Sequence, residues 1–287
     1  MPRSASDQLR RLLKGPDIIM MSACYDALTA RLVEAAGFPA SFMSGFGVAA
    51  SRLGLPDTGL ISYGEMLDQG RNICGAVSIP ILGDGDTGFG NALNVKRTVH
   101  GYHQAGFACI MIEDQKMPKR CGHTAGKEVV NRDEALLRLR AAIDARKEGA
   151  DILIMARTDA RATHGIEEAI ERCHAFYQLG ADITFLEAPQ NEAEMRSYCE
   201  NVPGPKMANL LEQGKTPLLS PRDLQDMGYQ IGVYPLTLLN ASITAMQQAL
   251  AHLKKGRPAS NLMGFKELRE LVGFNDYDNE LNSYHGN

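Results

Sequence analysis

Eight short apolar runs separated by longer amphipathic stretches constrain this chain more than any other feature of its sequence. The runs cover residues 18–22, 40–44, 80–84, 108–113, 152–157, 183–187, 206–209 and 229–233, each short enough for a buried strand. Helical spacing fills the intervals, as at residues 27–36, 63–76, 92–105, 132–147, 166–179 and 221–227. Gly37, Gly106, Gly180 and Gly228 fall where those helices should stop, the positions at which a left-handed residue closes a helix. Strands alternating with helices imply parallel βαβ units. Eight units within a chain of 287 residues favour a closed (β/α)₈ TIM barrel, with an open doubly wound sheet as the alternative.

The expected organisation is a barrel over residues 1–254 and a C-terminal helical extension over residues 255–287. Within the extension, residues 254–259 read as a linker, residues 264–272 as a last helix, and the remainder as a polar tail. A net charge of −4 gives no electrostatic reason to approach nucleic acid or an anionic membrane. No apolar run is long enough to span a bilayer, and the first residues lack the apolar core of a secretory signal. The six cysteines include no CxxC pair, which is thiol usage of a reducing compartment, so a cytoplasmic location is expected.

Function in a barrel gathers at the C-terminal ends of the strands, and here those ends carry Ser44, Asp84, Glu113, Arg157, Glu187 and Asn209. Each alone reads as a solvated loop residue; six around one ring point to a site. Asp57, Asp84, Asp86 and Glu113 would crowd carboxylates at one mouth, and a hard divalent cation relieves such crowding. The segment Asp84-Gly85-Asp86-Thr87-Gly88 is not a calcium loop, because Phe89 and Val95 stand where the template needs Gly and Glu. Downstream, Lys119-Arg120-Cys121-Gly122-His123 forms a basic loop whose cations should lower the thiol pKa of Cys121 and suit it to proton transfer. Cys121 and His123 stand too close for usual zinc spacing, and no second pair exists.

These segments, in this order, resemble the isocitrate lyase and phosphoenolpyruvate mutase superfamily. The likeness rests on Asp84 to Gly90, on Ile112-Glu113-Asp114-Gln115 and on Lys119 to His123. It extends through Ser44-Gly45, Gly54-Leu55-Pro56-Asp57, Ala156 to Ala160 and Leu186-Glu187-Ala188-Pro189, covering about residues 20 to 240. The cysteine of the basic loop is absent from the mutases, so the chain is most similar to the 2-methylisocitrate and 2,3-dimethylmalate lyase branch.

The resemblance implies a Mg²⁺-dependent carbon–carbon lyase, with Mn²⁺ as a substitute ion, acting on a small dicarboxylate. Asp84 would ligand the metal directly, and Asp57, Asp86 and Glu113 through waters. Ser44, Gly45 and Phe46 would hold the carboxylate of the pyruvate half, and Arg157 the hydroxyl oxygen. Glu187 and Asn209 would serve the far carboxylate and position Arg157; Gly122, His123 and Pro235 would complete the substrate site. Retro-aldol cleavage would leave a carbanion for Cys121 to protonate, with Lys119 and His123 beside it in the loop. A homotetramer with the last helix exchanged between subunits would follow from the same likeness.

Three departures bear on substrate and mechanism. Tricarboxylate lyases carry an arginine where this chain has Asn240 and a small hydroxyl residue where it has Leu211. A third carboxylate would then be desolvated without a charged partner, so an alkyl-substituted malate is favoured. Phe42 replaces a tyrosine near the reacting hydroxyl, which leaves Glu113 and a water on the metal as alternative bases. Phe46 replaces a glycine and would narrow the pocket. Oxaloacetate hydrolysis or decarboxylation and 2-methylisocitrate cleavage are the competing activities, ahead of phosphonate mutase chemistry and of a non-catalytic scaffold.

Overall fold

The computed structural model describes residues 4–124 and 126–284. Two compact units divide between Leu239 and Asn240. The first unit runs α1 (Ala5–Leu13), β1 (Ile19–Cys24), α2 (Ala27–Ala35), β2 (Ser41–Met43) and α3 (Gly45–Val48), with a π-helical turn at Ala49–Leu53. It continues α4 (Tyr63–Ala76), β3 (Ile81–Asp84), α5 (Ala92–Ala105), β4 (Cys109–Glu113), α6 (Arg132–Lys147) and β5 (Leu153–Thr158). Then come α7 (Arg161–His164), α8 (Ile166–Leu179), β6 (Ile183–Leu186), α9 (Glu192–Asn201), β7 (Met207–Asn209), α10 (Pro221–Met227) and β8 (Ile231–Tyr234).

The helices begin where the sequence supplies side chains for their free N–H groups. Asp26 with Thr29 and Ser62 with Glu65 close reciprocal capping boxes on α2 and α4. Ser220 caps α10 ahead of Pro221, a residue suited to a first turn that needs no amide hydrogen. Gly106, Gly180 and Gly228 end α5, α8 and α10 with φ of 99°, 114° and 106°, in the left-handed region expected of them.

All strand pairs are parallel, in the order β6-β5-β4-β3-β2-β1-β8-β7. The ring closes between β6 and β7 through one parallel bridge, Thr184 to Lys206, with Thr184 N donating to Pro205 O at 3.0 Å. The fold is therefore a (β/α)₈ barrel. Side chains alternate across each strand, and the two faces form separate cores. Cys24, Met43, Ile81, Ile110, Ile112, Ile154 and Ala156 face the helices. Met21, Ala23, Phe42, Leu82, Met111, Met155, Phe185, Met207 and Val233 fill the barrel interior, together with Leu9 from α1. Spacing of Leu9, Leu12 and Leu13 gives α1 the apolar stripe that packs against this interior cluster.

The second unit contains most of α11 (Thr237–Leu253), then α12 (Phe265–Leu271) and α13 (Phe274–Tyr284). Helix α12 lies where a last helix is expected, but α13 occupies what reads in the sequence as a polar tail. Its apolar residues Phe274, Tyr277, Leu281 and Tyr284 recur at helical spacing, and all four are exposed. No helix among the described residues is long and apolar enough to cross a membrane.

Candidate active site

The interior alternation of the strands fixes which polar residues meet. Phe42 points inward on β2, so Ser44, two residues on, does too; Leu82 leads in the same way to Asp84. Met111 leads to Glu113, Met155 to Arg157, Phe185 to Glu187, Met207 to Asn209 and Val233 to Pro235. Seven of the eight interior columns, those of β2 to β8, thus end, one step past their last apolar layer, on a residue that lines a single cavity at the C-terminal mouth. That cavity holds about 580 Å³ of free space, counting its opening. Asp57, Lys119, Arg120, Cys121, Gly122 and His123 join it from the loops, and Phe46 from α3.

On one side stands an acid cluster. Asp57, Asp84, Asp86 and Glu113 are all buried, and the buried Lys119 ammonium lies 2.5 Å from Asp57 Oδ1 and 2.8 Å from Asp86 Oδ1. Asp84 is oriented by backbone: its Oδ1 accepts from Asp86 N at 3.0 Å and its Oδ2 from Gly45 N at 3.3 Å. A Cβ on Gly45 would lie 2.5 Å from Asp84 Oδ2, so glycine is required for this approach. Burial drives the Asp86 carboxyl up to about 7, with Lys119 opposing and Asp84 and Asp57 reinforcing. Burial likewise raises Glu113 well above the ordinary range, against the charges of Arg157 and Lys119.

These residues fit a hard divalent cation. Asp86 Oδ2 and Glu113 Oε1 are buried and have no hydrogen-bond partner among the described residues, a costly condition that a cation with its waters would relieve. Among the described residues no three His, Cys, Asp or Glu side chains converge to ligand one ion directly.

Adjoining it through Glu113 is a second charged group, centred on Arg157. Its Nε lies 2.8 Å from Asp159 Oδ2 and 3.4 Å from Glu113 Oε2, and its Nη2 lies 3.1 Å from Glu187 Oε2. Glu187 also faces His123 Nε2 at 3.0 Å, while Lys215 N donates to His123 Nδ1 at 3.1 Å. With Nδ1 accepting from Lys215, Nε2 is the ring nitrogen that donates to Glu187. Burial raises the Glu187 carboxyl, but Arg157 and the His123 hydrogen bond outweigh it and hold the group well below the usual carboxylate range. Asn209 Nδ2 donates to Glu187 Oε1 at 3.3 Å.

The Cys121-Gly122-His123 segment lies directly on this group, since a Cβ on Gly122 would come within 2.5 Å of Arg157 Nη2 and 2.6 Å of Glu187 Oε2. One expectation is overturned here: the Cys121 thiol is shifted up, not down. Burial is the main cause, the His123 backbone hydrogen bond and the Arg157 charge only partly offset it, and Lys119 is committed to Asp57 and Asp86. Cys121 is therefore a thiol at neutral pH, a form able to give a proton rather than take one.

Hydrocarbon completes the lining, from Phe42, Met111, Phe185, Met207, Leu211, Val233 and Leu236. Gly45 and Asp86 support Asp84 from behind rather than lining the cavity. Asn240 is exposed on α11. Sequence reasoning missed two buried charges: Asp159, which accepts from Arg157 Nε and Nη2 at 2.8 and 3.1 Å, and Lys127, 2.7 Å from Asp159. Asp159 lies in the Ala156-to-Ala160 segment, so its charge two residues after Arg157 was an available signal. Lys127 gave none beyond a lysine at the end of a basic loop.

Comparisons with known proteins agree with this architecture. The family described as phosphoenolpyruvate phosphomutase matches residues 9–254. A 2,3-dimethylmalate lyase from Eubacterium barkeri is 42% identical over 270 residues, covering 93% of this chain and 93% of its own. The structure of oxaloacetate acetylhydrolase in complex with 3,3-difluorooxalacetate superposes with a TM-score of 0.95 at 34% identity, covering 100% of this chain and 99% of the other. A phosphonopyruvate hydrolase complexed with oxalate and Mg²⁺ superposes with a TM-score of 0.85 at 29% identity, over 96% of this chain and 97% of the other. With the family model spanning residues 9–254 and the relatives matched over nearly the whole length, the chain belongs to the phosphoenolpyruvate mutase/isocitrate lyase superfamily.

Proposed function

We propose that this chain is a carbon–carbon lyase that cleaves a small 2-hydroxy dicarboxylate, an alkyl-malate of the 2,3-dimethylmalate kind, to a 2-oxo acid such as pyruvate and a carboxylic acid. The observation that carries the reading is the division of one cavity into an acid cluster, an arginine group and a hydrocarbon wall, with a protonated thiol among its lining residues. The kinship to 2,3-dimethylmalate lyase supports it.

Asp84, with Asp57, Asp86 and Glu113 through waters, would hold Mg²⁺, or Mn²⁺ in its place. When bound, the ion supplies Lewis-acid stabilisation of the oxygens on the pyruvate half. Ser44 and Phe46 hold the carboxylate of that half, beside Gly45, whose own N–H is given to Asp84. Glu113, a buried carboxyl with a free oxygen, takes the C2 hydroxyl proton, a role that Phe42 is unable to fill. Arg157 donates hydrogen bonds to the C2 oxygen as it becomes a carbonyl. The C2–C3 bond breaks, its electron pair moves onto C3 and the adjoining carboxylate, and the Cys121 thiol delivers a proton to C3.

His123 and Asn209 face the far carboxylate, while Glu187 holds Arg157 and His123 in place. Gly122 lets the loop lie close enough to Arg157 for this, and the Lys119 charge offsets the acid cluster. Leu211, Pro235 and the neighbouring hydrocarbon accept alkyl groups and offer no cation to a third carboxylate. The helical segment beyond residue 254 is the arm exchanged between subunits of a homotetramer, its apolar Phe265, Leu268 and Phe274 being exposed. Light scattering on the purified protein tests that assembly.

Cleavage of oxaloacetate is the second reading, supported by the fit to oxaloacetate acetylhydrolase. Incubation with Mg²⁺ and a panel of 2-hydroxy and 2-oxo diacids separates the two. Pyruvate with a monocarboxylate supports the lyase, and oxalate with acetate supports the hydrolase. Full turnover after exhaustive chelation of divalent ions defeats both.

A further inference from the structure

Lys127 is a buried cation with no part in the chemistry proposed above. Its side chain is 1% exposed, and its ammonium donates to the Gly122 carbonyl and, at 2.7 Å, to Asp159 Oδ1. Gly122 is the middle residue of the segment that carries Cys121 and His123. Asp159 is the carboxylate that accepts from both Nε and Nη2 of Arg157. One ammonium is therefore a single residue removed from the thiol on one side and from the guanidinium on the other.

Both ends of this tie are well founded. Asp159 N donates to Asp114 Oδ1 at 2.9 Å, and Asp114 is itself held by Thr158 Oγ1 at 2.6 Å and Arg172 Nη1 at 2.9 Å. Asp159 is thus fixed to the barrel rim and does not follow the loop. Within the loop, the Gln115 amide fixes the backbone of Arg120, accepting from its N at 2.9 Å and donating to its O at 2.8 Å. Lys127 takes over two residues later, where the reactive segment begins to cross the cavity.

Charge strengthens the argument. Arg157 faces Asp159, Glu113 and Glu187, three carboxylates to one guanidinium. Lys127 is a second cation in that group. Without it Asp159 has only Arg157 to neutralise it, and the guanidinium is drawn toward Asp159 and away from Glu187.

We propose that Lys127 is a positioning residue: by tying the Gly122 carbonyl to Asp159 it sets the separation between the Cys121 thiol and the Arg157 guanidinium. Its catalytic consequence rests on the lyase reading, whereas the tie itself does not. Site-resolved alkylation by iodoacetamide, followed by peptide mass spectrometry, tests the tie without any substrate. Lys127→Met is expected to speed modification of Cys121 at least tenfold while Cys199, remote from the cavity, keeps its wild-type rate. Turnover is expected to fall about 10–100-fold, as for loss of a supporting partner, with KM within about threefold. Lys127→Arg should recover part of both effects.

An unchanged Cys121 rate overturns the proposal, as does equal acceleration at Cys121 and Cys199 or a raised KM with kcat preserved. Should Lys127→Met fail to fold, Asp159→Asn cuts the same tie from its other end and must give the same contrast between the two cysteines. A wild-type protein that turns over no diacid defeats the lyase reading alone, and the alkylation contrast still decides the tie.

Discussion

Gly122→Ala puts the active-site geometry to a severe test with the smallest possible change. The added carbon would lie 2.5 Å from Arg157 Nη2 and 2.6 Å from Glu187 Cδ and Oε2, where ordinary contact begins at 3.4 Å. Something must move by about 0.9 Å. Arg157 is unable to yield at low cost, because Asp159, Glu113 and Glu187 hold its guanidinium from three directions. The loop therefore lifts, stretching the 3.0 Å contact of His123 with Glu187 and carrying Cys121 with it. A displacement of about 1 Å at a reacting group lowers turnover about 100-fold, equivalent to about 2.7 kcal/mol of barrier. Overpacking should also lower unfolding free energy by about 1–3 kcal/mol. Pyruvate release from 2,3-dimethylmalate and urea melts of both proteins measure the two effects. A variant with kcat within about threefold of wild type would refute the claim that this segment rests on Arg157 and Glu187 during turnover.

Gly45→Ala drives a carbon against Asp84 Oδ2 and should raise the Mg²⁺ concentration for half-maximal activity at least about tenfold, read by metal titration. Because burial raises both Asp86 and Glu113, the metal-free protein holds protons there near neutrality. Mg²⁺ must displace them, so affinity should fall as pH drops through about 7, and calorimetry in buffers of different ionisation enthalpy should detect proton release. The raised Cys121 thiol stays protonated past its ordinary value of 9.0, so the basic limb of the kcat profile for cleavage should lie above that pH. A basic limb near pH 8 would remove Cys121 as the donor. Cys121→Ser should lower turnover by orders of magnitude while a substrate analogue still binds, measured by calorimetry beside the rate assay.

The sequence exposed the barrel because its strands are buried on both faces. Runs such as Cys109 to Ile112 and Leu153 to Ala156 have no polar residue to blur them. It exposed the rim for the same reason, since Glu113, Arg157 and Glu187 break those runs abruptly. Helix α1 was harder to see, because Leu9 sits in a charged segment and only packing on the barrel interior reveals its use. The Cys121 pKa is not legible in the sequence, because its neighbours in sequence are not its neighbours in charge. Lys119 turns away to the acid cluster, and burial decides the thiol. Lys127 and Asp159 were invisible as a pair because 32 positions separate them and only the fold brings their charges together.

Seven of the eight joints between neighbouring strands are parallel ladders, and the eighth, between β6 and β7, is a single bridge among the described residues. Asp84, Glu113 and Arg157 belong to strands within the laddered arc, whereas Glu187 and Asn209 top the two strands at the seam, where Asn209 Nδ2 also donates to Glu187 Oε1 at 3.3 Å. On the proposed lyase reading, a change at the far end of a substrate would therefore bear on the barrel's most thinly laced joint, and a change at the reacting centre would not.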